Sequence, residues 1–108
     1  MRRPNLSRRL LLEAPLRVAD GAGGYNEVWQ PLGNVWGEVA PRTGRESGDV
    51  ARMGYKITVR AAPQGAPSRP TPSQRFRDGS RLFFIDAVTE ADPEGRFLIC
   101  FATEEEGA

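Results

Sequence analysis

The chain has 108 residues, 39% of them hydrophobic and 27% charged, with a net charge of +1 from 15 basic and 14 acidic side chains. This describes one ordinary domain with a modest core, and excludes both disorder as the default and a wholly basic nucleic-acid binder. With no histidine and a single cysteine, Cys100, it also excludes His-dependent triads, His or Cys zinc centres and an internal disulfide.

Residues Ser7 to Ala14 read as a first strand ending before Pro15. A glycine loop follows at Asp20-Gly21-Ala22-Gly23-Gly24. Tyr25 to Gln30 alternates as a second strand, with Tyr25, Glu27 and Trp29 on one side. Gly33-Asn34 marks a turn. Val35 to Ala40 resumes the alternation and places Val35, Gly37 and Val39 on one face. Arg42 to Gly54 reads as a charged loop with at most one helical turn around Asp49 to Met53, a length at which loops are usually functional or mobile.

Tyr55 to Ala61 is the cleanest strand. Tyr55, Ile57, Val59 and Ala61 face one way, Lys56, Thr58 and Arg60 the other. Pro63 to Pro72 holds four prolines and reads as an exposed linker or arm. Gln74 to Val88 is a hairpin around the two-residue turn Asp78-Gly79. Asp92-Pro93-Glu94-Gly95 turns the chain into Arg96 to Ala102, a strand apolar on both faces and therefore covered on both. The sum is all-β: a small antiparallel barrel or sandwich of about six or seven short strands with one long loop.

No enzyme constellation emerges. The carboxylates Asp49, Asp86, Glu90 and Asp92 are scattered, so no catalytic residue, cofactor or metal is expected. Gly21 to Gly24 lacks the following helix of a dinucleotide fingerprint and reads as a turn. Cys100 sits among apolar residues, as a small core side chain does. Trp29 and Trp36, on what read as adjacent strands, fit either sheet packing or interface anchors. Arg2, Arg3, Arg8 and Arg9 lie near one end and Glu104, Glu105 and Glu106 near the other. These are either solvated tails or complementary surfaces that pair subunits head to tail. No apolar run is long enough to span a bilayer or act as a signal peptide, so synthesis in the cytoplasm is expected.

The ordered motifs resemble one family, the phage head–tail joining proteins, also called head-closure or stopper proteins. They are Leu16-Arg17-Val18-Ala19-Asp20 to Gly24; Trp29; Val35-Trp36-Gly37-Glu38-Val39-Ala40-Pro41; Gly44-Arg45-Glu46; and Tyr55 to Arg60. Then come Asp78-Gly79-x-Arg81-Leu82-Phe83-Phe84-Ile85 and the closing Arg96-x-Leu98-x-Cys100 strand. The match covers Leu6 to Thr103. The chain departs from the family in a short loop after Glu46 and a longer, proline-rich 63–72 arm.

The resemblance implies a single head–tail connector domain over residues 1–108, with mobile ends at about 1–6 and 104–108. It implies a non-enzymatic virion part of a phage or a phage-like gene transfer agent, assembled in the bacterial cytoplasm, without membrane contact. The part would form a ring of six or twelve copies, between a portal-adaptor ring above and a tail terminator or tail protein below. It would retain packaged double-stranded DNA and dock the tail. Arg42, Arg45, Glu46, Asp49 and Arg52 would line the channel loop or a ring contact, their mixed signs suiting a gate better than tight phosphate binding. Arg2, Arg3, Arg8, Arg9, Trp29, Trp36, Glu104, Glu105 and Glu106 would be subunit contacts. Two alternatives stand beside this one: a neighbouring ring component such as a tail terminator, and a small β-barrel module for single-stranded nucleic acid. The latter needs stacking aromatics in a basic groove, and Lys56-Thr58-Arg60 supplies charge without them.

Overall fold

Alternation of apolar and polar residues produces six strands: β1 (Arg8–Ala19), β2 (Tyr25–Pro41), β3 (Arg52–Arg60), β4 (Arg75–Asp78), β5 (Arg81–Glu90) and β6 (Phe97–Glu105). The computed structural model describes residues 3–42 and 52–105, with Arg52 described through its backbone. All pairings are antiparallel, and the order β1-β2-β3-β6-β5-β4 closes on itself through β1 and β4. Closure leaves no open edge in the paired part of the sheet.

The core is the inward set of these alternations. Leu10 and Leu12 of β1, Ile57 and Val59 of β3, Phe76 of β4, Phe83 and Ile85 of β5, and Leu98, Cys100 and Ala102 of β6 are buried. Leu32, Val35 and Val39 of β2 pack against them, with Tyr55, Ala61 and Val88. The face expected for β3 is thus the core face. On β6 one face meets the core, and on the other Phe97 and Phe101 lie under the guanidinium groups of Arg60 and Arg42, each 5.6 Å from the ring centre.

Four expectations about segment boundaries change. β1 does not stop before Pro15. From Ala14 onward it pairs only with β2, so proline's missing N–H is tolerated at a free edge. The two strands expected on either side of Gly33-Asn34 are one 17-residue strand, β2, and Trp29 and Trp36 therefore share a strand. Instead of turning, the chain makes a bulge. Leu12 is opposite Gly33 and Glu13 opposite Pro31, which leaves Leu32 as the extra residue. Gly33 absorbs the irregularity at φ 137°. The loop expected over Arg42 to Gly54 ends earlier, because Arg52, Met53 and Gly54 already pair with Glu105, Glu104 and Thr103. In the β4–β5 hairpin Asp78 pairs with Arg81, so the two turn residues are Gly79 and Ser80, one position later than expected. Gly79, at φ 63°, takes the first central position that type II′ turns reserve for glycine.

The proline-rich segment 63–72 contains no strand, as expected, but it is not a free linker. Pro70 is fully buried, the Arg69 Nη1 donates to the Ala62 carbonyl at 2.8 Å, and short turns join Pro63 to Ala66 and Ala66 to Arg69. After β5, the buried Asp92 accepts hydrogen bonds from the backbone N–H groups of Arg96 and Phe97 and from the Arg96 guanidinium. That carboxylate fixes the last turn.

Candidate interaction surfaces

The β1–β2 pair runs past the barrel as a two-stranded ribbon. Beyond Glu13, where β4 pairing ends, residues Ala14 to Ala19 face Gln30 to Tyr25 alone. The tip is closed by Asp20, whose Oδ1 accepts the N–H of Ala22 at 2.8 Å and of Gly24 at 3.0 Å. Those backbone donors hold its carboxyl below the usual value, so it stays ionised. Cross-strand partners share a face. One face of the ribbon carries Leu16 opposite Val28, and Val18 opposite Asn26. Leu16, Val18 and Val28 are each more than two-fifths exposed. The other carries Arg17, Glu27 and Tyr25, with the Arg17 guanidinium 4.4 Å from the Tyr25 ring centre.

The base of the ribbon is built differently. The Arg75 Nε donates to Glu13 Oε1 at 2.6 Å, and the Arg77 Nε to Glu13 Oε2 at 3.2 Å. Both Glu13 and Arg75 are more than nine-tenths buried. Arg75 also lies 4.0 Å from the Trp29 ring centre, and Trp29 meets Phe84 edge to face at 5.8 Å. Burial makes each of these contacts stronger than it would be in water. They clamp the ribbon to β4 and β5.

A second polar cluster closes one barrel mouth. Arg8 pairs with Asp78, and Arg81 donates to both oxygens of Glu104, at 2.8 and 3.0 Å, and to the Tyr55 hydroxyl at 3.2 Å. Hydrogen bonding to Arg81 holds the Glu104 carboxyl below its ordinary range and raises the guanidinium further. Arg8 and Glu104, from the two oppositely charged ends of the sequence, therefore pair not with each other but each with a partner within the chain, Asp78 and Arg81.

The outer face of β2, β3 and β6 forms a third surface. Arg9 is opposite Trp36, Glu38 opposite Thr58, Lys56 opposite Phe101 and Arg60 opposite Phe97. Trp36 is 55% exposed. Where β2 separates from β3, an open groove of about 470 Å³ is lined by Leu6, Val35, Trp36, Arg60, Ala61 and Ser68, among others. The aromatic neighbours of Lys56 and Arg60 are invisible in the sequence, because they come from β6, some 40 residues away in the register.

The sequence-singled residues thus scatter. Trp29 is a half-buried packing residue and Trp36 an exposed one. Arg3 and Arg9 are exposed, and Glu105 is the exposed last residue of β6. Arg42 donates its backbone N–H to Gly54 at 2.9 Å and covers Phe101. Arg52 pairs with Glu105 through β3. Arg2, Arg45, Glu46, Asp49 and Glu106 lie outside the described residues. Sequence reasoning missed Glu13 and Arg75; an acid inside the otherwise apolar run Leu10 to Leu16 was the available signal. Cys100 is a core residue whose thiol is pushed up to about 12 by burial, which leaves it unreactive at neutral pH. Among the described residues, no cluster of carboxylates and thiols is suited to hold a metal ion, and no helix is long and apolar enough to cross a membrane.

Comparison with known proteins matches this architecture to a role. No match is found among curated proteins. Among solved structures, the chain is similar to one in the virion of a native gene transfer agent particle. Identity is 51%, over 98% of this chain and 100% of that one, with a TM-score of 0.82. The family profile described as phage head completion protein matches residues 1–105. With that match spanning nearly every residue of the barrel and its ribbon, the chain belongs to the phage head completion protein family.

Proposed function

We propose that the protein is a structural head–tail component of a phage-like particle of the gene transfer agent type, and within it a stopper ring. The ring sits between the portal-adaptor and the tail, in six or twelve copies, retains packaged double-stranded DNA and docks the tail. The observation that carries this reading is the 51% identity, over essentially the full length, to a chain of a gene transfer agent virion. The structure is in keeping with it. Its polar clusters fix strands and close a barrel mouth, and its exposed features are surfaces: a ribbon, a groove and the outer face of β2, β3 and β6. A part that works by contact needs those and no acid–base pair.

The test is to assemble particles without this protein and add it back purified. Heads that lose DNA to nuclease and carry no tails, both restored by the added protein, are expected. Tailed, DNA-retaining particles without it overturn the reading. A tail terminator is separated by the same experiment, since its loss leaves DNA retained in the head. The nucleic-acid module has one observation in its favour, the rings of Phe97 and Phe101 beside Lys56 and Arg60. However, guanidinium groups already cover both rings, where stacked bases would need them open. Affinity for short oligonucleotides at physiological salt would restore that alternative.

A further inference from the structure

We propose that the apolar ribbon face of Leu16, Val18 and Val28 seats in the Trp36 groove of a second copy of this chain, so that each copy gives a ribbon to one neighbour and a groove to the next. This rests on the ring reading above.

The argument starts from what the ribbon lacks. A two-stranded ribbon alone is marginally stable in water, and no element among the described residues covers its apolar face. Leu16, Val18 and Val28 adjoin on one face, and it is contiguous apolar patches, not single exposed residues, that mark contact surfaces. The chain offers a concave counterpart: its groove of about 470 Å³ has the volume of pockets that enclose drug-sized ligands, roughly 300–1,000 Å³. The ring that lines it, the 55% exposed Trp36, is of the residue type that anchors interfaces.

The two surfaces cannot meet within one molecule. Val28 and Trp36 lie on the same continuous strand, which holds them roughly 26 Å apart at about 3.3 Å per residue. Nor are they the same patch, so the contact is heterologous and repeats from copy to copy, closing into a ring where the rotation permits. Charge agrees. The ribbon from Ala14 to Gln30 carries Asp20 and Glu27 against Arg17, whereas the groove and its surroundings carry Arg9, Arg60 and Arg69 against Glu38. An acidic tip entering a basic rim is the orientation that attraction favours, and the same signs disfavour ribbon against ribbon.

Paired cysteines test this in assembled particles. Val28→Cys and Ser68→Cys in one chain are expected to give, on mild oxidation, a reducible ladder of multimers, while either change alone leaves monomers. The buried Cys100 contributes no background. No ladder in particles that hold several copies overturns the proposal but leaves the ring reading intact. So do Val28→Cys homodimers, or a bond from Val28→Cys to a different virion protein. One copy per particle overturns the ring reading itself. As an independent measurement, Leu16→Asp with Val28→Asp is expected to lower incorporation into particles at least tenfold while the purified protein melts as wild type; unchanged incorporation overturns the proposal.

Discussion

The barrel and the ribbon are made from the same two strands and obey opposite rules. In the barrel, β1 and β2 have neighbours on both sides, and every other residue of β1 disappears into the core at Leu10 and Leu12. Four residues further on, the same alternation leaves Leu16 exposed, because β4 and β3 have left the sheet. The pattern of side chains is continuous; only the number of flanking strands changes. An apolar residue is therefore core or contact surface according to how far the neighbouring strands reach. The junction between the regimes holds an ion pair in which both side chains are more than nine-tenths buried, Glu13 with Arg75.

The comparison breaks most sharply in the core. Phe83→Ala removes a fully buried ring that also meets Tyr55 edge to face at 5.1 Å. It is expected to cost about 3–5 kcal/mol, read as a fall in denaturation midpoint. At the junction, Glu13→Ala leaves Arg75 buried without its counter-charge and is expected to cost about 3 kcal/mol. Hydrogen exchange sharpens this case: protection is expected to fall first at Ala14 to Gln30, while β3 and β6 keep theirs. Replacing the pair together, as Glu13→Leu with Arg75→Met, is expected to recover much of the loss.

The barrel mouth should respond more weakly and with pH. The Glu104 carboxyl is lowered by its hydrogen bonds to Arg81, so its contribution is complete above the unfolded value of about 4.3 and is lost as pH falls through the folded one. Arg81 is 40% exposed, and screening limits the pair to about 0.2–1 kcal/mol. Glu104→Gln is expected to lower stability by that amount at neutral pH and to flatten the acid limb of the curve. Melting temperatures across the acid range check the sign. The smallest effect on folding is expected in the ribbon: Leu16→Ser and Val28→Ser should each change stability by no more than about 0.5 kcal/mol, however strongly they affect assembly.

Local chemistry made much of this legible from the residues alone. Alternation identified β3 and its core face, proline and glycine marked the hairpin and the closing turn, and the composition removed histidine and disulfide chemistry. The reading failed where a local signal had two meanings. Gly33 next to Asn34 marks a turn when strands end and a bulge when they continue, and the choice was made by β1, which pairs on both sides of it. Pro15 ends a strand flanked on both edges, but not one with a free edge.

What the sequence determined by itself was whatever depends on neighbours along the chain: strand type, side-chain alternation, the tight turns and the classes of chemistry the composition forbids. Tertiary structure decided everything that depends on neighbours across it. It sent Arg8 and Glu104 to partners inside the barrel mouth, buried Glu13 against Arg75, set Phe97 and Phe101 beside a basic strand, and left Leu16, Val18 and Val28 uncovered. The physical reason is that burial and pairing are properties of register between strands far apart in sequence. A period of two names the faces of a strand, but only the closed sheet says what each face meets.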